Sequence, residues 1–531
     1  MKKDVVSHPL GLCIGIIVGF VSITYANVGV TNFFTSCMVL QRNMIVPIWG
    51  TASSGEAVTV TFNGQTKTAS ASSNGKWSVK LDSMVAGGPY TMIIAGNNTI
   101  TIKDVYVGEV WQCAGQSNMD TRVNFYSNYA DIMDTTNIPL LRYYTLRQPG
   151  LTPVWDKCTT SVTTGRLSCL GFFFGREIQR TLGNVAVGLV VTAVGGTTVA
   201  SWLDSATLAQ NPGIKTNDTS ADSMFTQWVS PVVGCAMRGT VWIQGENDRS
   251  SSLAPYYAAR FKLLINAWRT LWGIGDFPFH YVQLANYGST QTDANESSTA
   301  AVIREGQRLA LSLPNTAMAV VIDIGDSAAL HFTDKLDAGI RLSLPSKALI
   351  YGKADLVYSG PLFVSKSIEG SKIHCKFKFV GSGLKAKSSV CKGFAIAGSD
   401  GKFVWADAVI HNDTATVSSS SITSPTQVRY AYVANPIGNL YNIEGLPASP
   451  FQTEGDQIPV AISSSKLSTA VFPVISGNGK VAATDALGRK MNICRIAGSG
   501  IVWLNVNNKA SGTVIINQNS LRQNRYNYLK P

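Results

Sequence analysis

Four separated stretches of this chain carry residue types able to do nucleophilic chemistry. In Gly115-Gln116-Ser117-Asn118-Met119 a serine follows the apolar run Val105 to Ala114. A serine on a tight turn at a strand end exposes its hydroxyl and leaves its backbone N–H free to bind an oxyanion. Gly195-Gly196-Thr197 ends a second apolar run, Val185 to Val194, and paired glycines let a backbone N–H approach a ligand closely. Gly245-Glu246-Asn247-Asp248 follows Val241-Trp-Ile-Gln244, and an asparagine there can aim its amide at a developing oxyanion, a task worth about 3–4 kcal/mol. The fourth stretch is Asp323-Ile-Gly-Asp326-Ser-Ala-Ala-Leu-His331-Phe-Thr-Asp334-Lys335. Taken singly, each has an ordinary reading: a helix cap, a loop, an Asx turn, a solvated histidine.

Elimination strengthens the histidine. Beyond the first 26 residues the chain has only His280, His331, His374 and His411. His280 lies in an apolar strand-like run and is expected to fill space. His374 and His411 fall in a β-rich region away from the strand-end loops. His331 alone follows an apolar strand inside an acidic loop, which makes it the candidate base.

The elements that must position these residues follow from the hydrophobic pattern. Residues 27–105 read as short strands separated by Ser53-Ser-Gly55, Asn63-Gly64 and Asn74-Gly75, the texture of a compact β-sandwich. From 106 to 345 strand-like runs alternate with helical stretches at 171–181, Leu253 to Leu271 and Ile303 to Leu313, which argues for a parallel sheet covered by helices. Three of its runs end in Gly-rich or polar turns, where open α/β sheets bind ligands. Residues 346–455 return to β texture. Residues 456–531 form a further strand-rich, basic segment beyond Glu454-Gly-Asp-Gln457.

Composition narrows the function classes. Of 531 residues, 45% are hydrophobic and only 14% charged, which excludes a disordered chain. The net charge is +12, but the basic residues are scattered without a run of five or six. That pattern speaks against nucleic acid and for solubility and attraction to acidic glycans. Lys2 and Lys3, the apolar Leu10 to Ile23 and the small residues around Ala26 read as a cleaved export signal over residues 1–26. No later apolar run reaches the roughly 20 residues needed to span a bilayer. The expected location is therefore extracellular or periplasmic. Outside the signal lie Cys37, Cys113, Cys158, Cys169, Cys235, Cys375, Cys391 and Cys494, with no CxxC spacing, so no zinc site is expected. Cys158 with Cys169, and Cys375 with Cys391, could each close a short loop; sequence leaves the pairing open.

In order, the four stretches give Ser, Gly, Asn and His, and the chain resembles the SGNH hydrolase superfamily. More narrowly it resembles the secreted sialate O-acetylesterase family of carbohydrate esterases. The resemblance is carried by Trp111-Gln-Cys-Ala-Gly-Gln-Ser-Asn-Met119, Val194-Gly-Gly-Thr197 with Trp202, Arg238-Gly-Thr-Val-Trp-Ile-Gln-Gly-Glu246, Arg304-Glu-Gly-Gln307 and Gly339-Ile-Arg-Leu342. It extends through Met38-Val-Leu-Gln41 and Asn439-Leu-Tyr-Asn-Ile-Glu-Gly-Leu-Pro-Ala-Ser-Pro-Phe451, covering about residues 28–455. Residues 456–531 lie outside it, as a possible sorting or attachment module.

The resemblance implies a three-layer α/β/α domain with a parallel sheet, flanked by β-sandwich-like domains. It implies a serine esterase that removes O-acetyl groups from sialic acid, xylan or another glycan, without metal or organic cofactor. Ser117 would be the nucleophile and His331 the base. The N–H groups of Ser117 and of Gly195 or Gly196, with the Asn247 amide, would form the oxyanion hole. Gln116, Gln244 and Glu246 would shape the pocket or orient those groups. The chain departs from the family in two respects: His331 is followed by Phe332 instead of proline, and Ala328 and Ala329 stand where relatives place an aspartate. Asp326 is then the nearest candidate acid, with a Ser–His dyad as the other arrangement. The alternative function is a glycan-binding or surface-attached protein whose hydrolase domain has decayed.

Overall fold

The computed structural model describes residues 27–126, 137–146, 152–159, 165, 167–214, 222–290 and 292–454, with the backbone of six further strands between 472 and 528. The export segment at residues 1–26 lies outside the described residues, as do the side chains beyond residue 454.

The N-terminal strands alternate as their sequence predicts. In Ala57–Phe62 the side chains of Val58, Val60 and Phe62 point inward, and in Lys76–Leu81 those of Trp77, Val79 and Leu81 do. These faces meet in one apolar core. The hairpin at Asn63-Gly64 turns with φ of 47° and 75°, the pair of positive values that a type I′ turn requires.

A single long strand, β1 (Thr99–Gly115), leads from this region into the main sheet. Its first half pairs antiparallel with Gly87–Ala95; its second half runs parallel between two other strands. The boundary expected between residues 105 and 106 therefore falls inside one continuous strand. The main sheet also contains β2 (Ile138–Thr145), β3 (Trp155–Cys158), β4 (Val187–Ala193), β5 (Gly239–Ile243), β6 (Phe279–Val282) and β7 (Thr316–Ala319). Their order is β3-β2-β4-β1-β5-β6-β7, parallel throughout except for edge strand β3. From β1 the chain crosses to β2 and the edge strand β3, returns with β4 to a place between β2 and β1, and then builds outward on the other side through β5, β6 and β7, so the order switches at β1.

Both faces of this sheet are covered. Successive residues of β1 alternate between two cores, Trp111 and Cys113 in one and Val110 and Ala114 in the other. That is why these strands read as continuous apolar runs. On one face lie α1 (Cys169–Leu182) and α4 (Lys335–Leu349), so close that a methyl group on Gly339 would come within 3.1 Å of the Phe174 backbone nitrogen. On the other lie α2 (Tyr257–Trp272) and α3 (Thr299–Ala310), in contact where Gly306 meets the Ala258 backbone. Capping sets three of the helix starts: Ser168, Ser298 and Asp334 each accept a hydrogen bond from a first-turn N–H.

Beyond α4, antiparallel strands from Leu362 to Gln452 enclose their own core around Ile373, Phe377, Phe394, Tyr430 and Phe451. Arg304 of α3 ties this region to the main sheet. Wholly buried, its guanidinium donates to the carbonyls of Leu284 and Ala285 on one side and Val433 and Ala434 on the other, each at 2.7–2.8 Å. The strands from Phe472 to Tyr528 pair antiparallel in sequence order.

Candidate active site

Register places the polar loops level with one another. Gly115 pairs with Ala193 on one side and Ile243 on the other; Ile243 pairs with Val282, and Val282 with Ala319. Five parallel strands thus end on one line, and the loops holding Ser117, Gly195, Asn247 and His331 all leave from that edge. In an open α/β sheet this edge, at the point where strand order switches, is where ligands bind.

Gly115 makes the serine turn possible. Its φ of +129° is a conformation side chains rarely adopt, and a Cβ there would strike the Ile243 carbonyl. Gln116 N–H then bonds to that same carbonyl at 3.0 Å, and Ser117 begins a single helical turn, Ser117–Asp120. As the first helical residue, Ser117 has an N–H without a helical acceptor. Its side chain is half-buried.

The Gly195–Gly196 loop lies directly against this turn: a Cβ on Gly195 would come within 3.3 Å of Ser117 Cβ. Thr197 anchors the loop. Its hydroxyl donates to Val194 O at 2.9 Å and accepts from Trp202 Nε1 at 3.0 Å, and its carbonyl accepts from Gln244 Nε2 at 3.0 Å. The N–H groups of Gly195 and Gly196 have no backbone acceptor among the described residues.

Asn247 occupies the 3-10 turn Glu246–Asp248 with its side chain exposed. Around it, the neighbouring polar residues are buried and engaged. Gln116 Oε1 accepts weakly from the N–H groups of Gly245 and Asn247, at 3.4 and 3.5 Å. Gln244 also donates to Asp248 at 2.6 Å and accepts from the Tyr257 hydroxyl at 3.2 Å. Glu246 accepts from Asn118 Nδ2, while its other carboxylate oxygen has no partner among the described residues. Gln116 and Gln244 therefore work beneath the site, fixing its loops. Asp248, which sequence reasoning did not single out, accepts from Val199 N–H at 2.9 Å and faces buried Arg260 at 3.5 Å, joining the second and third loops.

His331 is exposed on the loop after β7, and its ring has no hydrogen-bond partner among the described residues. The pairing expected between His331 and Asp326 is not formed: Asp326 Oδ1 accepts from the N–H groups of Ala328 and Ala329, at 2.8 and 3.2 Å, a turn within its own loop. Asp323 is held by Arg341 at 2.5 and 3.0 Å and by the Tyr441 hydroxyl. Two residues outside the sequence-derived set support the histidine loop. Asn118 Nδ2 donates to Leu330 O at 3.4 Å. Lys335 Nζ donates to Phe332 O at 2.7 Å and to Asn118 Oδ1 at 2.6 Å. Lys335 Nζ also sits 3.5 Å from the centre of the Phe332 ring. Burial pulls the Lys335 ammonium down to about 7, against smaller opposing pulls from Cys169, Glu246 and Asp334.

Among the other candidates, His280 is buried beside the Ser346 hydroxyl at 3.0 Å, and burial pushes its pKa down to about 3, a space-filling neutral ring. No disulfide joins Cys158 to Cys169 or Cys375 to Cys391. Among the described residues no cluster of three His, Cys, Asp or Glu is placed to hold a metal, and no helix is long and apolar enough to cross a membrane.

Comparison with known proteins agrees with this geometry. The family described as carbohydrate esterase, sialic acid-specific acetylesterase, matches residues 107–343, from within β1 to within α4. The crystal structure of a carbohydrate acetylesterase from Xanthomonas citri, XAC1771, superposes with a TM-score of 0.75 at 33% identity, covering 80% of this chain and 99% of that one. The sialate O-acetylesterase of Rattus norvegicus is 27% identical over 434 residues, which span 67% of this chain and 80% of the rat protein. That of Homo sapiens is 27% identical over 415 residues, 66% of this chain and 77% of the human protein. With a solved relative matched over nearly its whole length, and its catalytic region matched by the family itself, this chain belongs to the sialic acid-specific acetylesterase family of carbohydrate esterases.

Proposed function

We propose that the chain is an exported serine esterase that removes O-acetyl groups from sugars, with O-acetylated sialic acids as the substrate class, through an acetyl-enzyme. The observation that carries this reading is the common level of the strand ends, which brings a serine, a glycine pair, an asparagine and a histidine to one edge of the sheet. Ser117 Oγ attacks the acetyl carbonyl as His331 takes its proton. The N–H groups of Ser117 and of Gly195 or Gly196, together with the Asn247 amide, receive the negative charge that develops on the carbonyl oxygen. Collapse of the tetrahedral intermediate expels the sugar oxygen, which takes the proton back from His331. Water, deprotonated by His331, then attacks the acetyl-enzyme and releases acetate and free Ser117.

With Asp326 engaged by its own loop, the reading is a Ser117–His331 dyad. Xylan is the neutral alternative substrate. The relatives named as sialate O-acetylesterases and the net charge of +12, which draws anionic glycans, favour the sialic acid class. Residues 1–26 serve as the export signal in this reading, so the protein recovered from the culture medium or periplasm begins after Ala26.

The decisive experiment compares the wild type with Ser117→Ala on p-nitrophenyl acetate and on a panel of O-acetylated sialic acids and acetylated xylan. Loss of all hydrolysis in a folded Ser117→Ala variant, with acetate released faster from sialic acids by the wild type, is the expected result. Retained activity in the variant removes Ser117 as nucleophile, and preference for xylan reassigns the substrate.

A further inference from the structure

The loops of Ser117 and His331 are joined by buried polar groups that take no part in the bond-making steps. Asn118 follows Ser117, and both carbonyls flanking His331 are bonded from this cluster: Leu330 O by Asn118 Nδ2 at 3.4 Å, Phe332 O by Lys335 Nζ at 2.7 Å. Lys335 and Asn118 bond to each other at 2.6 Å, and Asn118 reaches the Glu246 carboxylate beside Asn247. All three side chains are less than a tenth exposed, with Asn118 at 0%, Lys335 at 2% and Glu246 at 9%. Serine turn, asparagine turn and histidine loop are thereby fastened at one point.

We infer that Lys335 and Asn118 are positioning residues that hold the backbone on either side of His331 against the Ser117 turn, supplying the orientation that a carboxylate on the imidazole would otherwise give. In a triad the third residue acts on the ring; here the restraint acts on the main chain that carries it, which suits a histidine whose ring has no hydrogen-bond partner among the described residues. Two acceptor oxygens face Nζ, and an amine offers at least two N–H donors whether or not it is charged, so the restraint persists as Lys335 titrates. An ammonium in this position is a poor choice for stability alone, because burial in apolar surroundings disfavours the charge and an apolar side chain of similar length would fill the space. The phenyl ring of Phe332, itself buried, closes the other side of the amine.

This inference rests on the serine-esterase reading, and the test separates the two. In Lys335→Met the side chain keeps its length and loses both hydrogen bonds. The expected result is a fully folded enzyme whose kcat on p-nitrophenyl acetate falls at least about tenfold, since a displacement of about 1 Å at a reacting group costs up to about a hundredfold. KM should stay within about twofold, and fluorophosphonate labelling of Ser117 should slow by the same factor as kcat. Asn118→Ala should show the same split, and the double variant should be no slower than the worse single one, as expected of residues acting as a unit. Wild-type kcat in Lys335→Met, or losses that multiply in the double variant, would overturn the inference. Should Lys335→Met not fold, wild-type kcat in Asn118→Ala would overturn it equally. Ser117→Ala is measured alongside. If it is inactive, failure of the Lys335 arm leaves the esterase reading standing; if it is active, the esterase reading itself has failed.

Discussion

Gly195 stands so close to Ser117 that a methyl group on it would lie 3.3 Å from the serine Cβ. Contacts that short are tighter than van der Waals packing favours, and neither partner can retreat freely. Thr197 pins one loop, and the pairing of Gly115 with Ala193 and Ile243 pins the other. Gly195→Ala should therefore shift the glycine loop by a few tenths of an ångström and misalign its N–H groups with the oxyanion. The expected outcome is a kcat on p-nitrophenyl acetate reduced about 10- to 100-fold, with KM and melting temperature nearly unchanged. An unaffected kcat would mean that the glycine N–H groups do not touch the transition state.

Asn247 is the side-chain donor proposed for the same oxyanion. Its side chain is exposed, so truncation leaves no buried group unsatisfied and stability should move by less than about 0.5 kcal/mol. Asn247→Ala should nonetheless lower kcat by about 10²–10³, the usual consequence of removing one oxyanion donor. Steady-state kinetics with a thermal melt on the same sample checks both halves. A loss confined to KM would make Asn247 a substrate-binding residue.

For Asp326 the expectation is a small effect. The oxygen that the structure engages, Oδ1, accepts two backbone N–H groups, and the asparagine carbonyl can do the same. Asp326→Asn should keep activity within about twofold of wild type, against the roughly 10⁴-fold loss that follows when a true triad aspartate is altered. A loss of that larger size would place the carboxylate on His331 during turnover and replace the dyad with a triad.

These residues differ in how plainly the sequence announced them. Ser117, Gly195 and Asn247 follow strands buried on both faces, which read as apolar runs with a sharp glycine-rich end, so their loops were legible one at a time. That the strand ends are level was not, because register is a property of pairs. Helix α4 was missed for a physical reason: its buried positions include Lys335, Gly339, Ser343, Pro345 and Ser346, so small and polar residues break the apolar stripe by which helices are recognised. Strand β2 was hidden similarly by Pro139 and by Arg142, a buried cation bonded to Asp104 and to the Cys37 carbonyl. Asn118 and Lys335 were beyond local reading altogether, since they meet across 217 residues of chain.

Lys335 also leaves a mark on stability, and its sign can be worked out. In the folded protein burial lowers its pKa to about 7, while in the unfolded chain it returns to about 10.5. Between those values the unfolded state binds the proton and the folded state does not, so the contribution of this one group to stability rises with pH. Below about pH 7 both states hold the proton and the full cost of the buried charge remains. Lys335→Met has no such group, and the carbonyls it leaves unpaired cost the same at every pH. The stability of the wild type relative to the variant should therefore be lowest near neutrality and below, then rise by about 1.4 kcal/mol per pH unit between roughly 7 and 10. Urea unfolding of both proteins at about pH 6, 8 and 9.5 measures that difference directly. A gap that stays constant across the range would mean that the amine keeps its proton in the folded state, held there by Glu246 and Asp334.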